Sequence, residues 1–133
     1  MTGTSQEASV VDRYLRFWNS TSAGQWQQLA SETFTDDVEY VAPIGVLIGS
    51  KALVDFGVQF SDHVGSFEFR ARDEVQTHHD RARLRWEILT GNDTSLATGT
   101  DVIVISEDAR VRSVTTFLDR APEGFDPNAH HQE

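Results

Sequence analysis

The chain has 133 residues, with 11 basic side chains against 21 acidic ones and no cysteine. The formal charge of −10 weighs against nucleic acid, whose phosphates would repel such a surface, and against anionic membranes. The absence of cysteine excludes disulfides, thiolate catalysis and Cys-based zinc sites, and fits a reducing, cytoplasmic setting. This length supports one core and not two, so a single domain is expected over 1–133, its core about 8–120 and its ends, 1–5 and 121–133, flexible. No apolar run approaches the roughly 20 residues that span a bilayer. Met1–Glu7 lacks a basic n-region and an apolar h-region, so no signal peptide is expected.

Thr4 to Glu7 fits a capping box ahead of a helix that carries Val10, Val11, Tyr14, Leu15, Phe17 and Trp18 at helical spacing. Ser22 to Gln25 forms a second cap, followed by a short helix bearing Trp26, Leu29 and Ala30. Phe34 and Thr35 lead into a strand over Asp37–Pro43, with Val38, Tyr40 and Ala42 on one face. Pro43 cannot donate a ladder hydrogen bond, so this strand ends there or lies at an edge. Ile44–Gly49 reads as a short strand turning back, and Ser50 is placed to cap a third helix with Leu53, Phe56, Phe60 and Val64 on its buried stripe.

From Phe67 the hydrophobic period changes from helical to alternating. Phe67–His78, Arg81–Leu89, Leu96–Ile105 and Val111–Leu118 read as four long strands. The connections His79-Asp80, Gly91–Thr94 and Glu107–Ala109 carry hairpin chemistry. Helices first and an antiparallel meander afterwards is an α+β arrangement. The sheet must curl around the helices, because three helical stripes need one face to pack on. No internal repeat or linker interrupts the pattern.

One carboxylate stands out. Asp101 lies in the middle of Leu96–Ile105, and alternation puts it on a face with Ala97, Gly99, Ile103 and Ile105. An ionised Asp buried there costs several kcal/mol unless it is paired or takes a proton, and such groups gather where chemistry or binding needs them. The alternative is a solvated Asp101 with the neighbouring apolar residues turned out. Tyr14, on the inner stripe of the first helix, is the natural partner, because a buried hydroxyl and a buried carboxyl each need one.

Other polar residues signal less. On Arg81–Leu89, Ala82, Leu84, Trp86 and Ile88 share the inner face, while Arg81, Arg83, Arg85 and Glu87 form a solvated or dimer-facing row. Trp86 either fills the core or lines a ligand cavity. His78 and His79 are adjacent on an extended chain and point in opposite directions, so no metal site is expected. His63 falls near the end of the third helix, within reach of a pocket mouth or of the helix dipole.

Together these elements resemble a known family. Arg13–Arg16, Phe34–Gly45, Gly49–Leu53 and Thr100–Val111, in that order and spacing, are similar to the nuclear transport factor 2-like superfamily, in its SnoaL-like and ketosteroid isomerase-like branch, from about Val10 to Asp119. The resemblance implies a cystatin-like cone: a strongly curved mixed or antiparallel sheet wrapped around three helices from the N-terminal half, with a deep apolar pocket. It also implies that Tyr14 and Asp101 stand where ketosteroid isomerases place the two donors to an enolate oxygen. The base of those isomerases, an Asp just before the proline, is Ala42 here, which argues against 3-oxosteroid isomerisation by that route. SnoaL-like cyclases use a lone Asp in this strand region, which Asp101 matches. Limonene epoxide hydrolases need an Arg at the place of Gly99.

Two functions follow as expectations. In the first, the protein is an isomerase, cyclase or dehydratase of a small apolar or aromatic carbonyl-containing metabolite. Asp101 and Tyr14 are then catalytic, and Phe17, Trp18, Tyr40, Phe56, Leu84, Trp86 and Leu118 contact the substrate. In the second, it is a non-catalytic ligand-binding or dimeric interaction module of the same fold, with Tyr14–Asp101 a structural hydrogen bond. A homodimer without cofactor, metal, nucleic acid or membrane is expected in both.

Overall fold

The computed structural model describes residues 6–122. Its elements follow the order that the periodicities predict. The helices are α1 (Gln6–Trp18), α2 (Ala23–Thr33) and α3 (Ser50–Val64). The strands are β1 (Phe34–Ala42), β2 (Gly45–Ile48), β3 (Phe67–Ala71), β4 (Gln76–His78), β5 (Arg81–Thr90), β6 (Thr94–Ile105) and β7 (Val111–Arg120). They form one curled, unclosed mixed sheet in the order β2-β1-β7-β6-β5-β3, with β4 also pairing with β5. All pairings are antiparallel except β1 with β7. This is an α+β cone.

Each helix docks through the stripe that its spacing sets. Val10, Tyr14, Phe17 and Trp18 of α1 are buried, as are Trp26 and Ala30 of α2 and Leu53 of α3. Phe17 meets Trp26 and Phe34 edge-on, with centroids 5.0 and 4.9 Å apart. At the end of α1 the Asn19 side chain stitches helix to sheet: Nδ2 donates to Phe69 O at 2.8 Å and Oδ1 accepts from Phe69 N at 2.8 Å. Those contacts fix where α1 crosses the strands, and so where Tyr14 points.

Register then lays the inner face out in rows. Tyr40, Val114, Ile103 and Ala82 lie side by side across β1, β7, β6 and β5. In the next row Thr116, Asp101 and Leu84 are neighbours, and beyond it Leu118, Gly99 and Trp86. Along β6 burial alternates as expected, with Ala97, Gly99, Asp101, Ile103 and Ile105 inside. The arginine row faces outward and is occupied locally: Arg85 bridges to Asp73 at 3.1 Å, Arg81 to Asp80, and Arg83 bonds to Gln76.

Two expectations need amending. The segment Phe67–His78 is two strands, because the chain breaks at Arg72, whose guanidinium turns to bond Trp86 O at 3.0 Å and Asp119 at 2.7 Å. Ser50 does not cap α3; it is the first helical residue, and Gly49 holds the N-cap position at φ 94° with no side-chain cap. That backbone conformation suits glycine alone. Ser22 does cap α2, accepting from Gln25 N at 3.2 Å. Thr4, which opens the expected capping box Thr4 to Glu7, lies outside the described residues. Among the described residues no helix is long and apolar enough to cross a membrane.

Candidate functional site

Where the helices stop covering the sheet, a cavity of about 270 Å³ remains. Aromatic and aliphatic side chains make its wall: Trp18 from α1, Phe56 and Phe60 from α3, Phe67 and Phe69 from β3, and Trp86 and Ile88 from β5. Leu96 and Ala97 of β6 and Leu118 of β7 continue it, and Ala42, Pro43, Ile44 and Pro122 complete the lining. Among the described residues Tyr40 and Thr116 bring hydroxyl groups to the wall. An apolar concavity with few polar groups is the usual form of a small-molecule site.

Asp101 lies just behind that wall. It is 1% exposed and accepts three hydrogen bonds. Tyr14 Oη donates to Oδ2 at 2.6 Å, and Oδ1 accepts from Trp86 Nε1 and Thr116 Oγ1, both at 2.8 Å. Burial favours the neutral acid and the three donors favour the anion. Burial wins, and the carboxyl is pushed up to about 6. Tyr14 is held well above the ordinary tyrosine range, first by burial and then by the charge of Asp101, and Tyr40 is raised for the same two reasons. Near neutral pH both phenols therefore keep their protons, while Asp101 is the group in this cluster that can gain or lose one.

The expected residues divide into three groups. Tyr14 and Asp101 come together as anticipated, but neither forms part of the cavity wall. Trp18, Tyr40, Phe56, Trp86 and Leu118 do line it. Phe17 and Leu84 do not: both are fully buried in the packed core, Phe17 between Trp26 and Phe34, and Leu84 beside Asp101 in the sheet. Thr116 is the notable residue that sequence reasoning missed, because only the register of β7 against β6 reveals it. His63 is exposed at the end of α3 and outside the wall, and His78 and His79 are exposed with their Nδ1 atoms 3.1 Å apart.

The SnoaL-like domain profile matches residues 11–114. The chain belongs to the SnoaL-like family. No protein of curated function matches it. Among solved structures, a protein of the SnoaL-like family from Agrobacterium tumefaciens, provisionally titled an isomerase, is 21% identical, with a TM-score of 0.80 over 86% of this chain and 97% of that one. An NTF2-like protein of unknown function from Exiguobacterium is 18% identical, with a TM-score of 0.67 over 83% and 98%. A provisionally titled SnoaL-like polyketide cyclase from Jannaschia is 13% identical, with a TM-score of 0.67 over 90% and 91%. These likenesses establish the nuclear transport factor 2-like fold. Within this SnoaL-like domain, Ala42 places a methyl group in the cavity wall just before Pro43, where the isomerase resemblance would require a carboxylate.

Proposed function

We propose that this SnoaL-like domain binds a small, neutral, largely apolar carbonyl-containing molecule and acts on it by acid–base chemistry, as an isomerase, cyclase or dehydratase. Asp101 holds the proton and Tyr14 fixes the carboxyl. The observation that carries this reading is a fully buried carboxyl, pushed up to about 6, one layer of side chains behind the wall of an apolar cavity. Such a group is poised to exchange protons near the working pH, which is where acid–base catalysis is most effective. The Agrobacterium and Jannaschia proteins, provisionally named an isomerase and a polyketide cyclase, support the same reading.

A specific observation favours a second reading, a binding module without turnover. All three partners of Asp101 come from the protein itself, and Ala42 supplies no base. Deuterium exchange separates the two readings. Small cyclic enones and 1,3-diketones incubated with the protein in heavy water should gain deuterium at the carbon next to the carbonyl faster than in buffer, and Asp101→Asn should remove the excess. Binding of these compounds without any faster exchange would leave the module reading in place.

A further inference from the structure

One layer of side chains separates Asp101 from the cavity, and its members are chemically unequal. Trp86 lines the cavity but its indole N–H can only donate. Tyr14 bonds the carboxyl but does not reach the wall. Thr116 alone among the three donors both lines the cavity and carries a hydroxyl that can donate or accept.

We propose that Thr116 is the docking point for the single oxygen of the ligand, and that the hydrogen-bonding sense it offers the cavity is set by the protonation state of Asp101. This rests on the pocket reading above and gives the ligand a chemical class: a neutral molecule of about two fused rings bearing one hydroxyl or carbonyl.

With Asp101 ionised, the Thr116 proton is committed to Oδ1 at 2.8 Å. Its free lone pair then accepts from a ligand hydroxyl or enol. With Asp101 protonated on Oδ1, the carboxyl donates to Thr116 Oγ1 and the threonine proton turns toward the cavity, where it donates to a carbonyl. The protonated state differs by one proton taken from solvent onto Asp101, and nothing is oxidised or reduced. The Tyr40 hydroxyl is hydrogen-bonded to Thr116, so the ligand shares that oxygen with Tyr40 and uses the lone pair or proton Tyr40 leaves. The titratable groups facing Asp101 are Tyr14 from α1 and Tyr40 from β1, both held protonated near neutral pH; β5 and β7 contribute Trp86, Leu84 and Thr116, which do not titrate. A pH response near 6 that Asp101→Asn removes therefore belongs to Asp101.

Size and charge complete the class. An apolar cavity of about 150 Å³ holds a benzene, so the 270 Å³ here suits about two rings. Among the described residues no charged side chain lines the wall. A carboxylate or ammonium ligand would be stripped of water without a partner.

Calorimetric titration with 2-naphthol, 1-tetralone and naphthalene between about pH 5 and about pH 7.5 tests the proposal. The naphthol should bind about fivefold tighter at the upper end and the tetralone about fivefold tighter at the lower end, the worth of one net hydrogen bond. Naphthalene should show no pH dependence. Thr116→Val should flatten both profiles without weakening naphthalene, Thr116→Ser should retain them, and Asp101→Asn should flatten them independently. Opposed profiles that persist in Thr116→Val would overturn the role of Thr116 while leaving the pocket intact. Flat profiles in the wild type would remove the coupling to Asp101. If none of the three compounds binds, the pocket reading fails, and this inference with it.

Discussion

Gly99 of β6 and Trp86 of β5 stand opposite each other in register, and a Cβ on Gly99 would lie 2.2 Å from Cζ2 of the indole. The missing side chain is thus what lets the indole lie against β6. From there its N–H reaches Asp101 in the neighbouring row at 2.8 Å.

Gly99→Ala should therefore displace Trp86 and break its bond to Asp101. Overpacking of this kind costs about 1–3 kcal/mol, and a buried donor is orphaned in addition. Near-ultraviolet circular dichroism should change and the midpoint of urea unfolding should fall. An unchanged tryptophan signal would show that the indole does not depend on the gap.

The pH dependence of stability has a definite sign. Asp101 titrates at about 6 in the folded protein against 3.8 ordinarily. The folded state thus holds this proton more tightly than the unfolded one. The contribution is complete below about pH 4 and is lost as pH rises through 6, amounting to roughly 3 kcal/mol. Asp101→Asn cannot titrate, so wild type should lose ground to it steadily between about pH 4 and about pH 6, and no further above that. Urea unfolding of both proteins across this range measures the gap; a constant gap would contradict the burial argument.

Asp101→Leu should behave differently from Asp101→Asn. An amide still accepts from Trp86 and Thr116 through Oδ1, and its Nδ2 can donate to the oxygen of Tyr14. Leucine leaves three donors facing an apolar group, a loss on the order of 3 kcal/mol even though a costly charge is removed. Thermal unfolding near pH 4, where Asp101 is neutral, should rank wild type and Asn close together and Leu well below. A Leu variant as stable as the wild type would mean that the three hydrogen bonds contribute nothing net.

We propose that a second copy of the chain covers the outer sheet face. Val46 and Ile48 of β2 and Phe117 of β7 are 57%, 59% and 57% exposed on that face. The half-buried Val41 and Thr115, which are register partners, lie among them. The arginines of β5 are already engaged with neighbours on the same chain, so the contact would be chiefly apolar. Sedimentation should show a dimer at tens of micromolar, and Ile48→Glu with Phe117→Glu should yield monomers. A monomeric wild type would rule the arrangement out.

Much of the fold was legible because period changes are strong signals. Alternation around Asp101 placed it inside, and the helical spacing of Tyr14 made the pair. Alternation could not tell wall from filling, however: Phe17 and Leu84 point inward as surely as Trp18 and Trp86 do, yet they pack solidly. Thr116 was hidden by an irregularity. Ile105 pairs with Val111, and that register continued would set Thr115 opposite Asp101; a shift between Val104 and Ile105 brings Thr116 there instead. Such bulges are set by tertiary fit rather than by a local pattern. The break at Arg72 was likewise invisible, since its partners Trp86 and Asp119 are remote in sequence.

The parallel contact of β1 with β7 governs how the molecule must assemble. Tyr40 finds its neighbour Val114 only at the far end of the chain, and Tyr14 meets a carboxyl 87 residues away. A chain made from its N-terminus therefore holds β1 without its parallel partner until Val111–Arg120 has been made. Closing so long a loop is slow and leaves early segments open to aggregation. A chain ending before Val111 would lack the strand on which β1 rests and could not build the cavity floor at all.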